Sequence, residues 1–199
     1  MSSGKFPVFP LKTLCFPGHK IPLRIFEERY LHMLSDIDDN PLFVVSLISH
    51  GEEVGASATP YRVGTLVEFD DIRKQGDFAL IQPRGKHRVY LDRFDRDSRP
   101  YLTADCTLYA DQAQADPGDD RLPELEEKIL SLAMSLGSKE MAGVRDLLAG
   151  VREELDRENY SLFLCGCLDL PPIYLQRLLE SRSLAYRMEN ALNLLSLRP

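Results

Sequence analysis

The chain has 199 residues, 44% hydrophobic and 28% charged, a composition that suits one large globular domain or two small ones with a real core. A formal charge of -7 weighs against a general polyanion binder, because non-specific nucleic-acid affinity rests on neutralising many phosphates at once. The start is polar and then broken by Pro7 and Pro10, and the longest apolar run, Leu42 to Ile48, falls far short of the roughly 20 residues of a spanning helix.

A cytoplasmic location is therefore expected, and Cys15, Cys106, Cys165 and Cys167, without framework spacing, read as reduced, small apolar side chains. Phe6 to Leu11 and Ile21 to Leu23 read as short strands whose prolines confine those positions to edges or strand ends. Pro17-Gly18 supplies the reversal between them. Phe26, Tyr30, Leu34 and Ile37, with Met33 beside them, recur at helical spacing, which predicts one amphipathic helix over 26–37, ending before Asn40-Pro41. Leu42 to Ile48 reads as a strand buried on both faces, and 50–60 as a loop. Strand-like runs follow at 61–69, 77–82, 86–94 and 101–109. The last of these alternates, with Leu102, Ala104, Cys106 and Leu108 on one side, so Cys106 is expected to point into the core.

Beyond Tyr109 the composition turns polar, and a linker is expected over 113–120. The period then becomes helical. Leu122, Leu125, Ile129, Leu132 and Leu136 make one stripe; Val144, Leu147, Leu148, Val151 and Leu155 make another after a break at Gly137-Ser138. A third segment spans 160–168, a fourth begins at Pro171-Pro172, and a fifth follows Ser183, which suits an N-cap.

The opening Phe9-Pro10-Leu11, Phe16-Pro17-Gly18 and Ile21-Pro22-Leu23, then a helix with Phe26 and Tyr30, resembles the start of the Lon protease N-terminal domain family. Gly64-Thr65, Gly85 and Arg88-Val89 look like the family's later strand markers, and Gln176, Leu178-Leu179-Glu180 and Arg187 resemble its helical end. The resemblance implies an α+β fold: a PUA-like β-rich lobe with one inserted helix, followed by a C-terminal helical bundle. It also implies a part in engaging substrate proteins. The expected boundaries are 1–112 for the β-rich lobe and 121–199 for the helical one. No phosphate-binding loop of the form G-x-x-x-x-G-K-[ST] occurs, so a free-standing copy without ATPase or protease machinery is expected.

No catalytic constellation can be assembled from these residues. Cys165 and Cys167 lack further ligands at zinc spacing, Cys15 and His19 lack an orienting third group, and the acidic set Asp111, Asp116, Asp119, Asp120, Glu124, Glu126 and Glu127 lacks a calcium-loop pattern. Neither a metal nor a cofactor is expected. The polar face of the first helix, Glu28, Arg29 and His32, is the candidate protein-contact surface. The basic run Arg84, Lys86, His87 and Arg88, continued by Arg93, Arg96 and Arg99, supports an RNA-binding alternative in which Lys86, Arg88 and Tyr90 share a strand face. Asp92, Asp95 and Asp97 dilute it. The leading expectation is a non-enzymatic module for unfolded protein or peptide segments or a partner protein. An adaptor acting on a separate protease is the other alternative.

Overall fold

A computed structural model describes residues 3–55, 58–112, 121–135 and 144–197. The expected linker at 113–120, the break at Gly137-Ser138, and Leu136, Asp116, Asp119 and Asp120 lie outside the described residues. The chain divides into two compact units, Met1–Tyr109 and Ala110–Pro199.

The first unit is built on a strand ring. β1 (Ser3–Leu11), β3 (Leu42–His50), β5 (Val63–Glu68), β8 (Arg84–Asp95) and β9 (Thr103–Leu108) pair in the order β1-β9-β8-β5-β3, and β1 also pairs with β3, closing the sheet on itself. The short β4 (Thr59–Pro60) extends it beside β3. β1 is thus not an edge strand, contrary to what its prolines imply. It serves β9 with Ser3 to Pro7 and β3 with Val8 to Leu11. Val8 N donates to Leu102 O (2.8 Å), so by alternation the nitrogen of Pro7 faces away from β9 and no ladder donor is lost there. Val8, Val44, Leu66, Val89, Leu91, Ala104 and Cys106, drawn from all five ring strands, fill the interior; Cys106 points into this core as its alternation predicts.

A second core lies on the outer side. Phe9, Phe43, Val45 and Val67 meet α1 (Glu28–Asp36), which contributes Tyr30, Met33 and Leu34 with Ile37 just beyond it. Ile25, Ala79 and Ile81 cover the same core from a small sheet, β2 (Leu23–Ile25), β7 (Phe78–Ile81) and β6 (Arg73–Gln75), ordered β2-β7-β6. Phe26 falls outside the helix and is 54% exposed, so it does not belong to the apolar stripe. The acids Glu27 and Glu28 mark the helix start, where they suit the positive end of the dipole.

The second unit holds α2 (Leu122–Ser135), α3 (Val144–Arg152), α4 (Arg157–Gly166), α5 (Pro172–Glu180) and α6 (Leu184–Ser196). α2 lies along α6, and α4 packs on α3, α5 and α6. Ser183 caps α6, its side chain accepting from Tyr186 N, and Pro172 opens α5 at a position where its missing N–H costs nothing. The Cys165 side chain is fully buried in this bundle.

Candidate functional site

The opening segment runs antiparallel to 79–85. Gly18 takes φ 83 at the reversal, Gly85 N donates to His19 O (2.8 Å), and Ile21 N donates to Pro83 O (3.1 Å). Leu23, Arg24 and Ile25 continue opposite Ile81, Leu80 and Ala79 in the same register. β2 pairs on one side only and is therefore an edge.

Beside that edge lies a cleft of about 230 Å³, floored by Phe9, Leu11, Ile25 and Tyr30 and rimmed by Pro22, Phe26 and Val54. Phe26 and Val54 are 54% and 56% exposed, so large apolar surface stands in water on both sides of a groove. Their placement is not accidental loop geometry. Glu53 accepts from Lys12 N (2.7 Å), Gly55 N donates to Glu27 Oε2 (3.1 Å), and Arg29 Nη2 donates to Glu53 O (3.4 Å), pinning the segment around Val54 to β1 and α1. At that volume the cleft matches one large side chain better than a drug-sized ligand or cofactor.

The structure separates the helix trio. Arg29 is half-buried against the cleft wall, 3.0 Å from Glu27 and 4.5 Å from the Tyr30 ring centroid, whereas Glu28 and His32 stand in solvent one turn apart, 3.9 Å between Nε2 and Oε1. Phe26 and Val54, absent from the sequence candidates, complete the groove. Phe26 is legible in retrospect from the acids that follow it; Val54 sits in a loop and carries no pattern.

The basic strand is corrected more sharply. Leu66 pairs with His87 but Val67 with Gly85, so Lys86 is the extra residue of a bulge that breaks the alternation. Lys86 is exposed and ion-paired with Glu68 (2.8 Å), while Arg88 is only 2% exposed, its guanidinium 5.5 Å from the Tyr109 ring. The two cations share no face, and Arg88 is too buried to reach a phosphate.

The cysteine candidates resolve into packing. Cys15 Sγ donates to the backbone oxygen of His19 (3.5 Å), not to its imidazole. Burial pushes the Cys15 and Cys106 thiols up to about 12 and Cys167 to about 11. Since the thiolate is the reactive form, iodoacetamide at about pH 8 should leave all of these unlabelled in the folded protein and label them in urea; fast native labelling of Cys15 would reopen a nucleophile there. Among the described residues no group of three or more His, Cys, Asp or Glu side chains converges as metal ligands do. Of the acidic set, Glu124 pairs with Lys128, Glu126 accepts from the Tyr160 hydroxyl, and Asp111 meets Arg187. The helical unit has its own cavity of about 320 Å³, whose wall includes Arg152 and Glu126 paired at 3.6 Å. No helix of the described residues is long and apolar enough to cross a membrane.

Comparison with known proteins agrees with this architecture. The family model described as the ATP-dependent protease La (LON) substrate-binding domain matches residues 5–196. Among solved structures, a Lon N-terminal domain protein from Xanthomonas campestris is 22% identical, with a TM-score of 0.63 over 98% of this chain and 99% of its own. The N-terminal domain of the Mycobacterium avium complex Lon protease is 13% identical, with a TM-score of 0.73 over 98% of this chain and 100% of its own. At such identities the structural likeness concerns the fold, which is the α+β arrangement of β-rich and helical parts that the sequence implies. The family model spans nearly the whole length, and the chain belongs to the LON substrate-binding domain family.

Proposed function

We propose that this protein is a non-enzymatic recognition module that holds unfolded polypeptide segments at the groove between Phe26 and Val54. The observation that carries the reading is the exposure of two large apolar side chains flanking one side-chain-sized cleft, in a chain of a substrate-binding family. Apolar anchors at the centre of a contact supply most of its free energy, and the polar Glu27 and Glu53 line the same cleft. Glu28 and His32 stand farther along the helix, where a longer segment would pass. The substrate-binding role of the family supports a protein ligand. The burial of Arg88 counts against RNA.

Fluorescence anisotropy with labelled, reduced and carboxymethylated α-lactalbumin tests this. The double variant Phe26→Ser, Val54→Ser should weaken binding by about 2 kcal/mol, roughly thirtyfold, with an unchanged melting curve because neither side chain is in the core. Unaltered affinity in the double variant would place the contact elsewhere.

A further inference from the structure

The groove has a main-chain side as well as an apolar one. In an antiparallel ladder, residues alternate between those that bond to the partner strand and those that point away from it. His19 and Ile21 are of the first kind, since Gly85 N reaches His19 O and Ile21 N reaches Pro83 O. The unbroken register Leu23 to Ile81 and Ile25 to Ala79 extends that parity through β2. The peptide groups of Pro22 and Arg24 therefore face the free edge, along the cleft bounded by Phe26 and Val54. Among the described residues, no main-chain or side-chain hydrogen bond uses the outward N–H or C=O of Arg24. Its own side chain does not cover them, because the guanidinium lies over the Phe78 ring at 4.2 Å.

We propose that β2 captures its ligand by strand addition: an extended polypeptide segment pairs with the N–H and C=O of Arg24 and seats one large apolar side chain in the adjoining cleft. This rests on the polypeptide-binding reading above and specifies its mode. Pro22, two residues before, presents no donor, so the added strand is held at Arg24 and not along a full ladder. The same proline restrains the edge from pairing indiscriminately with other sheets. Main-chain bonds are indifferent to side-chain identity, and the single pocket demands only size and apolarity, so the site accepts many sequences provided they are unfolded and locally extended. A folded protein rarely offers an unpaired extended segment and a projecting large apolar side chain together.

The test uses the full chain and a tiled array of α-lactalbumin peptides; the tightest binder is then resynthesised with a single N-methyl group moved along its backbone. N-methylation removes one donor and leaves the side chains alone. Binding should fall about tenfold at the one position whose N–H donates to the Arg24 carbonyl and stay level at its immediate neighbours, as the loss of a single edge hydrogen bond requires. Arg24→Pro, which removes the donor on the protein side, should weaken the parent peptide to a similar degree, while Arg24→Ala should not. An N-methyl scan that is flat, in a protein whose binding still depends on Phe26, overturns strand addition and leaves the polypeptide-binding reading intact. Absence of any peptide binding removes both. Dimerisation that competes with the peptide and is lost in Arg24→Pro would make a second copy of the chain the occupant, and would equally overturn the proposal.

Discussion

Arg187→Leu should destabilise the helical unit by about 3 to 5 kcal/mol, the range for breaking one side of a buried charged network. Arg187 is fully buried on α6. Its guanidinium donates to the Ser161 hydroxyl on α4, to Asp111 in the segment entering the unit, and to Ser181 O (3.0 Å) between α5 and α6. One side chain therefore ties together three stretches that are distant in sequence. The entering segment is fastened further by Gln112 N to Arg182 O (2.9 Å) and Arg182 Nε to Ala110 O (2.8 Å). Leucine fills part of the volume but leaves the Asp111 carboxylate, 16% exposed, and the Ser181 carbonyl without their cation. The second variant separates charge from packing. With Arg187→Leu and Asp111→Leu together, the stranded carboxylate is gone, and a large part of the loss should return. Urea unfolding followed by helical circular dichroism reads both. If the double variant is no better than the sum of the single ones, the pair is not coupled, and the network picture fails.

The same residue shows what was legible in the sequence and what was not. Arg187 and Gln176 stand out as family markers, yet nothing in their type announces that both are completely buried; arginine is ordinarily a surface residue. Periodicity located Tyr30, Met33, Leu34 and Ile37 on the core face of α1 and Ala104 and Cys106 inside the ring, because regular elements repeat their burial. It failed where the geometry departs from the repeat. The Lys86 bulge takes Lys86 off the face of Arg88, which is buried on the side of β8 opposite Val89 and Leu91, β6 is exposed throughout and so has no apolar signal, and Phe26 lies two residues before the first residue of the helix it is expected to open. The proposed groove leaves no signal in the sequence for a related reason. It draws Phe9, Phe26 and Val54 from three separate segments, and only the closure of β1 onto β3 and the pinning of the Val54 loop bring them to one place. Pairing between distant segments leaves no local trace in composition or spacing.

Gly85→Ala should be among the most damaging single-methyl changes available to the β-rich unit, at about 3 kcal/mol or more. A Cβ built there would lie 2.2 Å from Phe16 O, 2.8 Å from Phe16 C and 3.2 Å from Pro17 Cα. These are backbone atoms, so no side chain can rotate aside. Nor can the chain drift apart, because Gly85 bonds the opening segment in both directions: its N–H donates to His19 O and its carbonyl accepts from Gly18 N, each at 2.8 Å. The methyl must either break these bonds or displace Phe16, which is buried at 3% exposure. The consequence reaches the groove, since the ladder that starts at Gly85 is the one that sets the parity and position of β2. Peptide affinity should therefore fall together with stability in Gly85→Ala, whereas Phe26→Ser should lower affinity alone. Gly150→Ala is the control of opposite sign: it sits in α3 with nothing within 4 Å of the added methyl, and alanine should stabilise that helix by up to about 1 kcal/mol. Urea midpoints for the two alanine variants, measured beside peptide anisotropy, decide the matter. Equal stability of Gly85→Ala and the parent would mean that the opening segment does not press on β8 as described.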